Sequence, residues 1–387
     1  MVSAPAARLA LIAFAWGVAA CSKGSSRESA PSATASNVTA PAAQPRRIVG
    51  AEPGSASAFE LVVRGGGVRV LWARAKGETD WLVEQELGQD GQARGEVKPL
   101  RIPKRALGKV ADLSAVVLGE QLAVSWLEQG TNEARAQASV LGGATVPTVL
   151  DLGPAALVSE AARGNIAVAA EAERGRALVM WRGLEAPCVE RQNAPCTGFT
   201  FRRIRPDGAE ATGLPLSVPV PCASHSVELA TSNGRFHYGV CTREGNDPVT
   251  TMFSIQYDPE YARAEPLLKG CLPLGALEVA GEPWLIGDCH GKRRAARVPV
   301  GDEKVQIEPI DAPSITCTPQ RAELRQGRFV LQLREPRANI QAALPEAFAP
   351  TGARAGWTGT TLVAVYMSGA ELQIRAFACR DGKLQAL

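Results

Sequence analysis

The chain contains few histidines, the residue on which many catalytic and metal centres depend. It has only three histidines in 387 residues, so a centre built on several histidine ligands or on a histidine base is disfavoured. The patterns G-x-S-x-G, G-x-x-x-x-G-K-[ST], G-x-G-x-x-G and H-E-x-x-H are also missing. Their absence removes the usual sequence signals of a serine hydrolase, a P-loop, a dinucleotide site and a zinc protease.

The chain also lacks a strong charge imbalance and a long apolar run. Its formal net charge is +3 with a pI of about 8.4, which is too mild to argue for nucleic acid as a partner. The one marked apolar run, residues 9–20, has 12 residues, whereas a membrane-spanning helix needs about 20. We therefore expect no nucleic-acid partner and no membrane-spanning helix.

The apolar run has the form of an export signal. Arg8 is the only charged residue before Cys21, and small residues precede that cysteine, as in a secretory signal peptide. Val18-Ala19-Ala20-Cys21 resembles the lipobox of bacterial lipoproteins. The resemblance implies that residues 1–20 are removed, that Cys21 becomes a diacylated N-terminus, and that Ser22 after it favours the outer membrane.

Residues 21–57 differ in composition from the rest of the chain. They are rich in Ser, Ala, Pro and Thr and show no periodic apolar pattern, so they cannot bury enough surface to offset the entropy of ordering. We predict a lipidated, disordered tether over 21–57 and one folded domain over 58–387. The expected location is the cell envelope, with the domain in the periplasm or on the surface.

A strand–glycine turn–strand pattern recurs through the folded region. Seven copies begin near residues 59, 113, 157, 226, 276, 321 and 354, and their turn glycines are Gly66, Gly119, Gly164, Gly234, Gly281, Gly327 and Gly359. Four of the six separations between these glycines are between 45 and 53 residues, the length of a propeller blade. The pattern predicts an all-β protein, a β-propeller of seven blades with four antiparallel strands each; six or eight blades, or β-sandwich domains, are the alternatives.

Further hairpin turns are predicted where Asp-Gly pairs follow strand patterns. They occur at Asp90-Gly91, Asp207-Gly208 and Asp381-Gly382. Asp-Gly favours the positive φ angles of the tight type I′ turn. These turns would join the third and fourth strands of their blades.

Eight cysteines remain after Cys21, and an even number in an exported chain indicates disulfides. Two pairs, Cys222 with Cys241 and Cys271 with Cys289, are each centred on a predicted hairpin turn, which places their sulfurs across neighbouring strands. A third pair, Cys188 with Cys196, would close a short loop within an insertion. Cys317 and Cys379 are left over, and the strand assignment places them at opposite ends of their blades, so their pairing stays open.

One end of two adjacent blades collects charged and polar residues on its loops. These candidate binding residues are His225, Arg243, Asp247, His290 and Arg293. Such a cluster could bind a carboxylate, a glycan or a protein, although solvated loop charge is the simpler interpretation. Zinc bound by Cys222, His225, His237 and Cys241 is a weaker alternative to the disulfide, and Cys289-His290 lacks the C-x-x-C half of a haem attachment site. We therefore expect no metal and no cofactor.

The sequence favours a membrane-tethered, non-enzymatic binding or scaffold module that contacts a protein or another envelope component. The alternative is a propeller-based hydrolase or lyase that acts on a polysaccharide or other envelope substrate. A third hypothesis is a structural surface protein without a soluble ligand. Many functions share this fold, so the fold alone does not choose among them.

Overall fold

The computed structural model describes strands and turns, and no helix, in the parts of the chain that it places. These parts are residues 46–47, 58–64, 67–76, 79–100, 102, 108–130, 133–142, 147–156, 166–171, 175–183, 186–187, 195–196, 198–207, 216–219, 228–232, 236–243, 249–258, 261–279, 282–299, 303–311, 314–318, 321–326, 328–332, 354–368 and 371–387. No helix in them is long and apolar enough to cross a membrane.

The first three sheets are four-stranded and antiparallel. Strand β1, which joins a later sheet, is Arg46–Arg47. Sheet 1 contains β2–β5, which are Phe59–Arg64, Gly67–Lys76, Thr79–Leu87 and Ala93–Pro99. Sheet 2 contains β6–β9, which are Lys109–Leu118, Gln121–Gln129, Ala134–Leu141 and Leu150–Ala155. Sheet 3 contains β10, β11, β14 and β15, which are Ile166–Glu171, Arg176–Arg182, Gly198–Ile204 and Leu216–Pro219.

The short pair β12–β13, Ala186–Pro187 and Pro195–Cys196, is inserted within sheet 3. Sheet 4 contains β16–β19, which are Glu228–Ser232, Phe236–Arg243, Val249–Asp258 and Tyr261–Lys269. Sheet 5 contains β20–β23, which are Leu272–Val279, Glu282–Cys289, Lys292–Arg297 and Ile307–Pro309. Sheet 6 contains β24–β26, which are Ser314–Thr318, Arg321–Gln326 and Phe329–Gln332. Sheet 7 contains β27–β30, which are Arg354–Trp357, Thr361–Ser368, Glu371–Arg380 and Lys383–Ala386, together with β1.

Successive sheets pack against one another as the blades of a propeller do. The first strands of sheets 1 to 5 contact each other in chain order, β26 of sheet 6 contacts β20, and β27 of sheet 7 contacts β2 of sheet 1. Apolar side chains fill the spaces between neighbouring sheets, with one cluster shared by sheets 1 and 2 and another by sheets 7 and 1. The packing of sheet 7 on sheet 1 brings the two ends of the series together, which is the β-propeller arrangement.

The N-terminal strand contributes to sheet 7. Arg46 and Arg47 pair antiparallel with Ile374 and Gln373 of β29, on the edge that β30 also occupies further along. These two residues belong to the segment predicted as a disordered tether, and the remaining residues of 21–57 lie outside the described part of the chain. Pairing of an N-terminal strand with the C-terminal sheet links the two ends of the described domain.

Five of the tryptophans form part of the packing between sheets, whereas Trp81 is 41% exposed. The five are at most 3% exposed and comprise Trp72, Trp126, Trp181, Trp284 and Trp357. Trp126 packs with the apolar side chains between sheets 1 and 2, and Trp181 with those between sheets 2 and 3. Burial of such large side chains makes a large hydrophobic contribution to the packing between sheets.

The prediction of seven blades with four strands each is not supported. Five sheets have four strands in the described residues, whereas sheet 6 has three and sheet 7 has five. The predicted third hairpin, residues 157–172, lies partly outside the described residues; its second half, Ile166–Glu171, is the first described strand of sheet 3 and pairs with β11. The turn that follows this strand contains Gly175 at φ 57°, a left-handed conformation that favours glycine.

The other six predicted hairpins are confirmed by the strand registers. Gly119 at φ 59° joins β6 to β7, and Gly359 at φ 101° lies between β27 and β28. Asp381 and Gly382, at φ 51° and 74°, form the two-residue turn between β29 and β30. The predicted and observed turns agree because few residues other than Gly, Asn and Asp adopt these positive φ angles at low cost.

Two disulfides lie within the described residues. Cys271 and Cys289 are bonded across the first two strands of sheet 5, as predicted, with Cα atoms 4.1 Å apart. Cys317 of β24 is bonded to Cys379 of β29 and joins sheet 6 to sheet 7. From the sequence, Cys317 was expected at the start of the first strand of its blade. It lies instead in β24, a strand that precedes the predicted hairpin of β25 and β26 and packs beside β29 and β30. The pairs Cys188–Cys196 and Cys222–Cys241 lie outside the described residues or side chains.

Candidate functional site

Only part of the predicted binding cluster falls within the described structure. His225 and Asp247 lie outside the described residues. Arg243 is the last residue of β17, where its backbone pairs with Val249 of β18, and His290 and Arg293 are described in full. His290 lies in a turn at one end of sheet 5, but Arg243 and Arg293 are strand residues of β17 and β22 rather than loop residues as predicted, because the turn between β21 and β22 has only two residues. The grouping of all five residues stays a prediction.

His290 lies in the tight turn between β21 and β22. Cys289 pairs with Lys292, and between them His290 and Gly291 take positive φ angles of 56° and 77°. The Gly291 N–H donates to Asp288 Oδ1 at 2.7 Å. The Cys271–Cys289 disulfide and this bond both constrain the turn that carries the exposed His290.

The connection from sheet 4 to sheet 5 lies beside the same turn. A Cβ atom placed on Gly270, which follows β19, would lie 3.3 Å from His290 Nε2. Cys271, the next residue, is bonded to Cys289. The sheet-to-sheet connection and the turn between the second and third strands therefore lie side by side at this end of sheet 5.

Three consecutive cations follow the turn at the start of β22. Lys292 and Arg294 are exposed and Arg293 is half-buried. Among the described residues none of the three forms an ion pair, and Arg293 Nη1 is buried without a hydrogen-bond partner. Arg297, further along the strand, is bonded to Glu282 and Glu303 at 2.9 and 2.6 Å. The turn end of sheet 5, defined as residues 288–294, therefore carries a positive charge that the described carboxylates do not pair.

Lys292 and Arg294 were not among the residues that sequence reasoning selected. The run Lys292-Arg293-Arg294 was the available signal. Charge runs are common on solvated surfaces, so the run alone does not mark a site. The added structural information is that the run lies next to His290 on a disulfide-closed hairpin.

The buried carboxylates of sheets 1 and 2 bind neighbouring strands. Asp112 of β6 accepts hydrogen bonds from the Leu113 N–H at 2.9 Å and from the Ile166 N–H of β10 at 3.2 Å. Glu60 of β2 lies 3.4 Å from Arg354 of β27 through Oε1 and Nε. Both contacts cross from the first strand of one sheet to the first strand of the next, so these acids hold adjacent sheets together.

Glu171 of sheet 3 forms a buried ion-pair network with two arginines. Its carboxylate accepts from Arg203 Nε and Nη2 at 2.8 and 2.9 Å and from Arg176 Nε at 2.7 Å. Burial by itself raises the pKa of Glu171, but the hydrogen bonds and charges of Arg203 and Arg176 outweigh it and leave the pKa below its ordinary value. The carboxylate is therefore ionised at neutral pH and committed to the two guanidinium groups.

The acids of the described structure do not gather into a metal centre. Within the placed residues, no three His, Cys, Asp or Glu side chains lie close enough together to hold an ion. The cysteines and histidines of the alternative zinc site fall outside the described side chains. The described chemistry is thus a basic turn end on sheet 5 and a set of acids bound between strands.

No protein-family model and no curated protein matches the chain. Solved structures that align with it include a subtype N10 neuraminidase-like protein of A/little yellow-shouldered bat/Guatemala/060/2010, at 10% identity and a TM-score of 0.42, over 89% of this chain and 97% of that one. A Mycobacterium tuberculosis puromycin-hydrolyzing peptidase aligns at 13% identity and a TM-score of 0.41, over 88% of this chain and 55% of the peptidase.

An alpha-L-arabinofuranosidase from Clostridium thermocellum aligns at 9% identity and a TM-score of 0.33, over 65% of this chain and 93% of that one. At these levels of similarity the comparisons assign neither a family nor an activity to the chain. The functional argument therefore depends on the residues of the chain itself.

Proposed function

We propose that the protein is an exported, lipid-anchored binding module whose propeller holds an acidic protein or envelope component at the turn end of sheet 5. The observation that carries the proposal is the cluster of His290, Lys292, Arg293 and Arg294 on one disulfide-closed hairpin. Positive groups without paired carboxylates attract an anionic surface and speed its encounter with the protein.

The disulfides support the export part of the proposal. Disulfides persist in oxidising compartments and are rare in the bacterial cytosol, and Cys271–Cys289 and Cys317–Cys379 are both bonded. The apolar segment 9–20 before Cys21 supplies the matching export signal. Lipidation of Cys21 and location in the outer membrane follow from the lipobox resemblance and are part of the proposal.

A binding role is favoured over hydrolysis by the way the buried acids are used. A glycosidase needs two carboxylates that face the scissile bond, and a lyase needs a base that can reach a substrate proton. The four buried acids of the described residues, Glu60, Asp112, Glu171 and Glu323, instead bond to arginines or backbone N–H groups. Glu60 and Asp112 thereby link adjacent sheets, and Glu171 links strands within sheet 3.

The binding role can be tested by neutralising the two exposed cations of the turn end. Full-length protein carrying Lys292→Gln and Arg294→Gln is immobilised beside the wild type, and components retained from solubilised native envelope are quantified by mass spectrometry. Lys98→Gln with Lys109→Gln is the matched control, because both lysines are exposed on other sheets. We expect one or more acidic components to be lost from the first variant only and to elute from the wild type as salt rises.

Equal retention by all three proteins at every salt concentration would contradict the proposed site. The anchor is tested separately by intact-mass and peptide analysis of protein from native membranes. A diacylglyceryl group on Cys21 as the N-terminal residue is the expected result. An unmodified N-terminus would refute the lipoprotein hypothesis and leave the test of the turn end unaffected.

A further inference from the structure

Three buried polar side-chain atoms of sheet 2 form no hydrogen bond with any group of the residues that the structure describes. They are the indole Nε1 of Trp126 in β7 and, in β8, the amide Oε1 of Gln137 and the hydroxyl of Ser139. None of these three residues is more than 1% exposed. A buried polar atom without a partner destabilises the folded protein, so the three atoms together need a ligand.

The three side chains are neighbours on one face of the sheet. Trp126 is directly opposite Gln137 in the register of β7 and β8, and Ser139 is opposite Val124, two residues before Trp126. Directly opposite residues have Cβ atoms about 4.5–5.5 Å apart, and diagonal neighbours are about 7–8 Å apart. Residues two apart on a strand share a face, so one donor, one acceptor and a hydroxyl meet on the same side of sheet 2.

That face is covered by sheet 1. Trp126 belongs to the apolar cluster shared by sheets 1 and 2. Gln137 and Ser139 point the same way, because Ala136 and Ala138, which alternate with them along β8, belong to the cluster between sheets 2 and 3. The three groups are therefore enclosed between two sheets, yet no two of them bond to each other directly.

A tryptophan of sheet 3 shows how such an indole is satisfied by protein alone. Trp181 is in the second strand of its sheet and packs towards the preceding sheet, as Trp126 does. Its Nε1 donates to the carbonyl oxygen of Pro154 in that preceding sheet at 3.0 Å. Within the described residues Trp126 has no such carbonyl partner, so its indole N–H requires another acceptor.

Sheet 1 repeats part of the arrangement on the face that packs against sheet 7. Trp72 Nε1 and Gln85 Oε1 are both buried and have no hydrogen-bond partner in the described part of the chain. Gln85 is opposite Val70, two residues before Trp72, which is the place that Ser139 has relative to Trp126. The recurrence in successive sheets indicates a property of the blade rather than an accident at one position.

A water molecule matches the groups of sheet 2. It can accept from the indole N–H and donate to the Gln137 oxygen, and the Ser139 hydroxyl can take part as donor or acceptor. Buried waters typically form about three hydrogen bonds to polar groups that otherwise have no partner, and they join groups that are too far apart to bond directly. We propose that Trp126, Gln137 and Ser139 bind one internal water molecule between sheets 1 and 2.

The water can be observed by NMR on full-length protein that carries isotope-labelled tryptophan. Each of the seven tryptophans contributes one indole N–H, and the Trp126 signal is identified by its loss in Trp126→Phe. A cross-peak between this N–H and a long-lived water is expected. The Trp181 signal, identified in the same way, is the internal control and should show none, because its N–H bonds to a carbonyl oxygen.

Urea unfolding provides a second measurement with a definite sign. Gln137→Met and Ser139→Ala each remove one group that holds the water, so each should raise the unfolding equilibrium constant about tenfold. The double variant should lose little more than either single variant, because the first change already breaks the site. Gln92→Met makes the same change at an exposed position of sheet 1 and should leave the constant as in the wild type.

A dry space between the sheets predicts the opposite result. Each substitution would then delete a polar group without a partner, and the protein would become more stable. The proposal is overturned if the Trp126 N–H shows no water cross-peak, or if Gln137→Met and Ser139→Ala both increase stability. Neither variant changes the turn end of sheet 5, so these results do not bear on the proposed envelope-binding site.

Discussion

Replacing Glu171 by Gln isolates the contribution of a buried ion pair to this propeller. The side chains of Glu171 and Arg203 are 6% and 7% exposed. Glutamine keeps the size of the side chain but removes the charge that the two guanidinium groups face. Breaking a buried pair by removing one partner typically costs about 3–5 kcal/mol, because the remaining charge is left uncompensated. We therefore expect the free energy of unfolding to fall by about that amount at pH 7.

A surface ion pair in sheet 2 provides the matched control. Arg135 Nη2 lies 2.6 Å from Asp151 Oδ2, as close a contact as those of Glu171, but the two side chains are 39% and 47% exposed. Exposed pairs contribute about 0–1 kcal/mol. Asp151→Asn should therefore change the free energy of unfolding by less than about 1 kcal/mol, although the geometry of the pair is equally good.

The pH dependence of the Glu171 effect has a definite sign. The pKa of Glu171 is lowered in the folded protein from its ordinary value of 4.5. A group with a lowered folded pKa contributes stability that is fully present above its unfolded pKa and is lost as pH falls through its folded pKa. The difference in unfolding free energy between wild type and Glu171→Gln should thus be constant near neutral pH and shrink below about pH 4.5.

Urea unfolding followed by circular dichroism at a series of pH values measures the loss of unfolding free energy at pH 7 and its change with pH. The reasoning would be refuted if Glu171→Gln lost no more stability than Asp151→Asn at pH 7. It would also be refuted if the difference from the wild type grew as the pH was lowered. Either result would mean that solvent, rather than the two arginines, compensates the carboxylate.

Three further changes test the contacts between and within sheets by the same unfolding measurement. Replacing Cys317 and Cys379 together by Ser removes a disulfide of sequence separation 62. The free energy of unfolding should fall by about 4 kcal/mol, because the unfolded chain gains entropy. An unchanged unfolding midpoint would contradict the link between sheets 6 and 7. Asp112→Ala removes the acceptor of the Ile166 N–H in the next sheet and should cost about 3 kcal/mol; a loss below about 1 kcal/mol would show that the bond is dispensable. Gly119→Ala meets no neighbouring atom but must adopt φ 59°, so it should cost about 1–2 kcal/mol from backbone strain alone, and a gain in stability would refute the turn assignment.

Most of the hairpins could be predicted from the sequence, because a hairpin depends on neighbouring residues. Alternating apolar residues mark the two strands, and a glycine or Asp-Gly pair between them supplies the positive φ angles. The Cys271–Cys289 disulfide was predictable for the same reason, since it spans one hairpin. The third predicted hairpin stays untested, because Gly164 lies outside the described residues; the described turn after β10 contains Gly175, which the pattern did not select.

The roles of the buried acids and of sheet 6 could not be predicted in this way. Asp112 binds a strand that begins 54 residues further along the chain, and the Cys317–Cys379 bridge spans 62 residues. Nor does any local signal show that Arg46 and Arg47 pair with β29. Partners at such separations are chosen by how whole sheets pack, which a local pattern does not encode.

By itself the sequence determined the all-β class, six of the seven predicted hairpins and the disulfide that closes sheet 5, since each of these depends on strand alternation and turn chemistry within a few tens of residues. Only the tertiary structure decided how the sheets follow one another, which acids are committed to neighbouring strands and how sheet 6 is bonded to sheet 7. Those features arise where residues distant in the chain meet, and their energies depend on burial and charge pairing that exist only after the sheets have packed.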